Sequence, residues 1–250
     1  MKFEIKEVKK FRYIDEGEGD VIMLLHGLFG ALSNFEDVIE KFSKTHRVII
    51  PMLPLYELSL VNTSLSGLVK FINKFVKQTD INNLTLLGNS LGGHVGLLYT
   101  LKYPEMVKSL ILTGSSGLFE NQLGGSFPKR GSYEYIKDQT VNVFHNPEAA
   151  TKELVDEVFD IVNDRAKVIR TIALSKSAIR NNLADELPKI KQPVCLIWGA
   201  NDNVTPPHVA DEFNRLIENS ELHWIEECGH APMMEKPSEF NEILDAYLNK

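Results

Sequence analysis

Leu84-Thr-Leu-Leu-Gly88-Asn89-Ser90-Leu91-Gly92-Gly93 is the stretch on which the reading of this chain turns. Leu84–Leu87 is a short apolar run with the character of a strand, and Leu91–Tyr103 carries helical spacing. A serine at the centre of G-x-S-x-G, between strand and helix, sits in a tight and strained turn. Small residues two positions on either side let the backbone close without Cβ clashes, and the hydroxyl is pushed above the sheet. The helix that follows offers free N–H groups and the positive end of its dipole to a developing oxyanion. Ser90 is therefore the candidate nucleophile.

Working outward, the same strand–helix alternation recurs along the chain. Val21–Leu25, Arg47–Ile50, Ser109–Thr113, Val194–Trp198 and Leu222–Ile225 read as further strands. Apolar runs without alternation predict strands covered on both faces, the pattern of a parallel sheet. Asn34–Phe42, Leu65–Lys77, Pro207–Ile217 and Ser238–Leu248 read as helices; in Leu65–Lys77 the residues Leu65, Leu68, Val69, Ile72, Phe75 and Val76 fall on one face. Right-handed crossovers then give a sheet with helices on both sides. Phe3–Ile14 alternates more clearly and predicts an antiparallel edge hairpin.

One interval breaks this rhythm. Residues 115–191 contain no strand signal; a loop with Gly124, Gly125, Ser126, Pro128 and Gly131 leads into helical patterns at Tyr133–Phe144, Pro147–Val162 and Asp164–Asn181. Residues 1–114 and 192–250 are thus expected to form a core, and 115–191 a helical insertion. Placed after the C-terminal end of a strand, the insertion would roof the crevice in which open α/β sheets bind ligands.

A serine hydroxyl needs a base to take its proton, and that base needs an orienting carboxylate. Partners of this motif follow in the order serine, acid, histidine. After Val194–Trp198 comes Gly199-Ala-Asn-Asp202-Asn-Val-Thr-Pro206, and after Leu222–Ile225 comes Glu226-Glu-Cys-Gly-His230-Ala-Pro232. Asp202 and His230 each stand just past their own strand, on the sheet edge that carries Ser90. His46, His145, His208 and His223 are worse placed, His94 reads as a helix residue packing nearby, and Asp211 lies inside a helix. Glu226 and Glu227 read as a solvated pair. A second oxyanion donor is expected from His26-Gly-Leu-Phe-Gly30, with the amides of Leu28 and Leu91 as the pair. Phe29 would line the pocket, and His26 would hydrogen-bond its own loop.

The HGLFG, GNSLGG, WGANDNVTP and CGHAPMMEKP segments, in this order, resemble the α/β-hydrolase family over essentially the whole core. The resemblance implies an α/β fold with a mostly parallel eight-stranded sheet, a helical cap at 115–191, a Ser90–His230–Asp202 triad, and Leu28 and Leu91 amides as oxyanion hole. Serine at the nucleophile position sets the chain apart from the branches that use aspartate. GNSLGG is similar to the carbon–carbon bond hydrolases of aromatic ring-fission products, whereas HGLFG and Ala231 look more like small esterases. The expected activity is hydrolysis of a small ester or related acyl substrate. The alternatives are carbon–carbon cleavage of a dienone acid and a slow-turnover ligand receptor on the same fold. Pro51-Met-Leu-Pro-Leu-Tyr departs from the pattern of many relatives after the Arg47–Ile50 strand.

Composition narrows the field further. Of 250 residues, 43% are hydrophobic and 24% charged, an ordinary globular balance that argues against disorder and coiled coil. The net charge of −7 repels phosphate backbones, so no nucleic-acid partner is expected. Charges interrupt every apolar stretch near the N-terminus, and no run reaches the roughly 18 residues of a membrane span. A soluble, cytoplasmic protein without membrane contact is the expectation. Cys195 and Cys228 are the two cysteines, read as unpaired thiols. With no G-x-x-x-x-G-K-[ST] and no H-E-x-x-H, neither cofactor nor metal is expected, and the partner is a small acyl substrate. Lys129 and Arg130 place two cations in the insertion; Arg130, with its planar fork, is the candidate contact for a substrate carboxylate.

Overall fold

The computed structural model describes residues 2–29, 32–121 and 129–250. Gly30 of the HGLFG loop lies outside the described residues, as do Gly124, Gly125, Ser126 and Pro128. Strands β1 (Lys6–Val8) and β2 (Phe11–Glu16) form the edge hairpin, and β2 pairs antiparallel with the strand β4 described next. The strands β3 (Val21–Leu25), β4 (Arg47–Pro51), β5 (Leu84–Asn89), β6 (Val107–Thr113), β7 (Val194–Gly199) and β8 (Ser220–Ile225) run parallel. Among the described residues they make one eight-stranded sheet in the order β1-β2-β4-β3-β5-β6-β7-β8. Several strands run one to two residues beyond the apolar stretches, because Gly88, Asn89 and Gly199 continue the ladder after the hydrophobic side chains end. β8 is an edge strand with half-exposed residues, rather than one covered on both faces.

Helices flank the sheet: α1 (Glu36–Phe42), α2 (Leu65–Gln78) and α3 (Leu91–Lys102) in the first half, α7 (Pro207–Leu216), α8 (Pro232–Glu235) and α9 (Pro237–Leu248) in the second. Strand periodicity of two sorts the core cleanly. Met23 and Leu25 of β3 join Leu68, Ile72, Val95 and Phe213 in the apolar layer of α2, α3 and α7. Ile22 and Leu24 turn to the opposite layer with Val38, Phe42, Phe240 and Leu244 of α1 and α9. In α2 the Ser64 hydroxyl caps the N-terminus by accepting from the Gly67 N–H, worth about 1 kcal/mol. Its six buried apolar side chains contribute roughly 10 kcal/mol before the entropy of ordering them.

Between β6 and β7 the chain forms α4 (Tyr133–Val141), α5 (Lys152–Asn163) and α6 (Arg165–Arg180). Asp164 caps α6 by accepting from the Ala166 and Lys167 N–H groups. Ile136, Val158 and Val162 of α4 and α5 form a small apolar cluster of their own, against which Phe29 packs. α6 behaves differently: Leu174 and Ala178 join the layer of α2 and α3, and the Ser177 hydroxyl accepts from the Leu65 N–H at 3.1 Å. No helix among the described residues is long and apolar enough to cross a membrane.

Candidate active site

The loops that leave the C-terminal ends of β3, β5, β6, β7 and β8 meet over one cavity. Ser90, between β5 and α3, has φ +54° and ψ −122°, a left-handed conformation that costs a non-glycine residue on the order of 1–3 kcal/mol. Three backbone bonds hold it there: the Ser90 N–H donates to the Thr113 carbonyl, and the His94 and Ser116 N–H groups donate to the Ser90 carbonyl, all at 3.2 Å. The glycine spacing has a steric cause. A Cβ at Gly92 would sit 2.0 Å from the Leu25 carbonyl oxygen, and one at Gly88 would sit 2.5 Å from Gly93 Cα. Gly27 lets the loop after β3 approach, since a Cβ there would lie 3.0 Å from Ser90 Cβ.

Asp202 and His230 meet as the strand order requires. His230 Nδ1 lies 2.9 Å from Asp202 Oδ2, and both residues are buried. An ionised carboxylate only accepts, so Nδ1 carries the hydrogen and Nε2 is left to accept one. The Val204 and Thr205 N–H groups donate to Asp202 Oδ1 at 2.8 and 2.9 Å, and the Thr205 hydroxyl donates to Oδ2 at 2.8 Å. With the histidine, that makes four hydrogen bonds on one carboxylate, which fixes its plane. Asn89, beside the serine, braces the site locally, because its Nδ2 donates to the carbonyls of Thr113 and His230. This ties the elbow to the histidine loop.

Ser90 and His230 line a cavity of about 160 Å³ enclosed by the described residues. Leu28 and Phe29 line it too; Phe29 is itself held at φ +58°. Leu91 is the first residue of α3, and N–H groups of a first turn have no partner within the helix. The roof is apolar on balance, with Ile136 from α4, Leu154 and Val158 from α5, and Ile179 from α6. Glu120, on the segment after β6, is the one carboxylate among the described lining residues, and burial raises its pKa while His230 lowers it.

His26 behaves as expected: the Leu53 N–H donates to its Nε2 at 3.4 Å, leaving Nδ1 to donate to the Gly27 carbonyl at 3.0 Å. Burial holds its pKa below the usual histidine range. The loop after β4 that departs from the family pattern thus braces the loop after β3, and it supplies none of the described lining. His94 is fully buried in α3, its pKa pushed down to about 4 by desolvation. Glu226 and Glu227 are exposed.

The structure places Arg130, expected from the sequence as a contact for a substrate carboxylate, at the surface. It is exposed and does not line the cavity. Its carbonyl accepts from Asn163 Nδ2 at 2.9 Å, which fastens its turn to the end of α5.

Three site residues escaped the sequence reading: Thr205, Glu120 and Glu235. Glu235 Oε1 accepts from the His145 and Asn146 N–H groups and Oε2 from the Gly229 N–H, at 2.7–2.9 Å. It clamps the loop after α4 to the histidine loop, where the His230 N–H also donates to the Val143 carbonyl. Both Thr205 and Glu235 stand inside quoted motifs, so their spacing from Asp202 and His230 was the available signal. For metals, the described residues offer one candidate group, Cys195, Glu221 and His223, away from this cavity. Burial pushes the Cys195 thiol up to about 12 and keeps it neutral, and Glu221 is engaged by Lys250 and His223.

Known proteins bear on this geometry. The family model for the alpha/beta hydrolase fold matches residues 20–237. Monoacylglycerol lipase ABHD6 of Homo sapiens is 29% identical over 259 residues, covering 93% of this chain and 76% of its own. The 2-hydroxy-6-oxononadienedioate/2-hydroxy-6-oxononatrienedioate hydrolase of Escherichia coli K12 is 30% identical over 275 residues, covering 98% and 93%. Among solved structures, MGS-MChE2, an alpha/beta hydrolase enzyme from the metagenome of Mar Chica lagoon sediments, superposes with a TM-score of 0.82. It is 45% identical and covers 98% of both chains.

Proposed function

The chain belongs to the alpha/beta hydrolase family, and from that premise we propose that it is a serine hydrolase cleaving a small ester or related acyl substrate through Ser90, His230 and Asp202. The observation that carries this reading is the assembly itself: a strained serine at a helix N-terminus and a histidine oriented by a saturated carboxylate open onto one largely apolar cavity. In the reaction, His230 Nε2 takes the Ser90 proton as Oγ attacks the ester carbonyl. The Leu28 and Leu91 amides stabilise the oxyanion. His230 then returns the proton to the departing alcohol, and water repeats the cycle on the acyl-enzyme. Residues 115–191 act as the helical cap. At about 15 Å³ per occupied site, 160 Å³ accommodates on the order of ten non-hydrogen atoms, the size of a short-chain or aryl ester. A cytoplasmic setting goes with this reading, with Cys195 and Cys228 free and buried in reduced form.

A second reading, carbon–carbon bond hydrolysis, draws support from the 30% identity to the Escherichia coli enzyme and from Asn89 before the serine. Steady-state turnover of short p-nitrophenyl esters, compared with turnover of dienone acids, separates the two. Steady multiple turnover of esters is expected, and slow single acylation with retained ligand would instead mark a receptor. Ser90→Ala should lower ester turnover by several orders of magnitude with the fold intact. Wild-type rates in that variant would overturn the nucleophile assignment.

A further inference from the structure

Two carboxylates act on His230, Asp202 through a hydrogen bond and Glu120 through its charge, and their surroundings are opposite. Asp202 accepts four hydrogen bonds and is buried away from the cavity lining. Glu120 lines the cavity, where burial raises its pKa and the charge of His230 opposes that rise. Its place is fixed through its neighbour. The Asn121 N–H donates to the Val204 carbonyl at 2.7 Å, and Asn121 Nδ2 donates to the Asn203 carbonyl at 2.8 Å. Glu120 is thereby stitched to the loop that holds Asp202.

Among the described lining residues, His230 is the one side chain able to carry a positive charge. The described lining contains no lysine and no arginine, and Lys129 and Arg130 are exposed. Residues 1, 30–31 and 122–128, which lie outside the described ones, add none, because the sequence there holds no lysine or arginine. A substrate carboxylate entering this space would meet the Glu120 carboxylate in a poorly screened, largely apolar surround and find no lysine or arginine among the described lining residues in return.

We propose that Glu120 sets the substrate class of this pocket, selecting neutral esters and rejecting those that carry a carboxylate near the scissile bond. The inference rests on the ester-hydrolase reading above and sharpens it. It sets the chain apart from relatives whose names specify dienoic acids or dienedioates as substrates. A further consequence concerns the product: every ester hydrolysis leaves a carboxylic acid beside Glu120, and the same repulsion drives its anion out.

The test uses matched pairs that place the charge on either side of the ester: p-nitrophenyl valerate against mono-p-nitrophenyl glutarate, and methyl 4-acetoxybenzoate against 4-acetoxybenzoate. The wild-type protein should prefer the neutral member of at least one pair by tenfold or more in kcat/KM, equivalent to about 1.4 kcal/mol. Glu120→Gln should shrink that preference at least tenfold, Glu120→Lys should invert it, and Glu120→Asp should keep it. Inhibition by free valerate should tighten about tenfold in Glu120→Gln, a binding readout independent of turnover. A wild-type ratio near one in both pairs overturns the inference, and so does a Glu120→Gln change that is equal for neutral and anionic members. If Ser90→Ala is inactive while the ratio stays near one, this inference fails alone. If Ser90→Ala retains turnover, the hydrolase reading fails and takes this one with it.

Discussion

The floor and the roof of the cavity face the same space but are held by different forces. On the floor, Ser90, Asp202 and His230 sit at strand ends and are fixed by backbone hydrogen bonds: Thr113 to the Ser90 N–H, Val204 and Thr205 to Asp202, Val143 to the His230 N–H. In the roof, α4 and α5 meet mainly through the side-chain packing of Ile136, Val158 and Val162, with the Tyr133 hydroxyl donating to Asp156 Oδ1 at the margin. Hydrogen bonds fix orientation to tenths of an ångström, as proton transfer needs. Apolar packing fixes volume and shape and tolerates conservative change. Under the proposed function, the difference suits the floor to chemistry and the roof and its margins to substrate choice.

The sharpest way to break this division is to disturb orientation on the floor without changing shape. Asp202→Asn does so. Oδ1 must stay an acceptor for two N–H groups, so the new amide NH₂ falls at the Oδ2 position, facing His230 Nδ1. The histidine then takes the tautomer with hydrogen on Nε2 and cannot accept the Ser90 proton. We expect kcat/KM for neutral esters to fall by about two to four orders of magnitude, less than for Ser90→Ala, with little change in thermal stability. Full activity would mean that another carboxylate orients His230.

The same division governs what the sequence reveals. The elbow is legible because its glycines answer short-range backbone sterics at Gly88 and Gly92, and each member of the proposed triad follows its own strand. The helices of the insertion are legible from their spacing as well. What they face is not. Ile136 and Val158 look like any core residues until α4 and α5 are seen over the cavity. Glu235 acts on His145, ninety positions away, and Asn121 secures Glu120 through Asn203, across 82 positions. No local pattern encodes such contacts. Arg130 shows the converse: a conspicuous charge on the insertion that stands exposed, outside the described lining of the cavity.

Beneath the floor, His94 offers a smaller test, of stability. It is buried in α3 with a pKa near 4 in the folded chain, against 6.5 when unfolded. Because the folded value is the lower one, the unfolded chain binds the extra proton between these limits. Stability from this group is therefore complete above pH 6.5 and is lost as the pH falls toward 4. The slope is up to about 1.4 kcal/mol per pH unit and the total about 3 kcal/mol. His26, shifted in the same direction by burial, adds to the slope. Denaturant melts at pH 7, 6, 5 and 4.5 should show a shallower decline for His94→Gln than for the wild type. Equal slopes would show that His94 is not held neutral.

The smallest expected effect lies where floor and roof are joined. The Glu235 carboxylate accepts from His145 and Asn146 on the roof side and from Gly229 on the histidine loop. In Glu235→Gln one oxygen becomes an NH₂ that can only donate, so it confronts an N–H it formerly accepted. Losing one charge-assisted bond of this kind costs about 1–2 kcal/mol, read as a lowered denaturant midpoint. The informative quantity is what happens to catalysis alongside it. If the clamp also seats the histidine loop, kcat for neutral esters falls several-fold while KM moves little, because the Gly229 N–H precedes the histidine that transfers the proton. If the clamp seats only the roof, KM rises and kcat holds, since the cavity loosens around the substrate while Asp202 and Asn89 keep His230 in place. The first outcome would make the histidine loop depend on the insertion for its geometry and erode the division between floor and roof; the second would sharpen it.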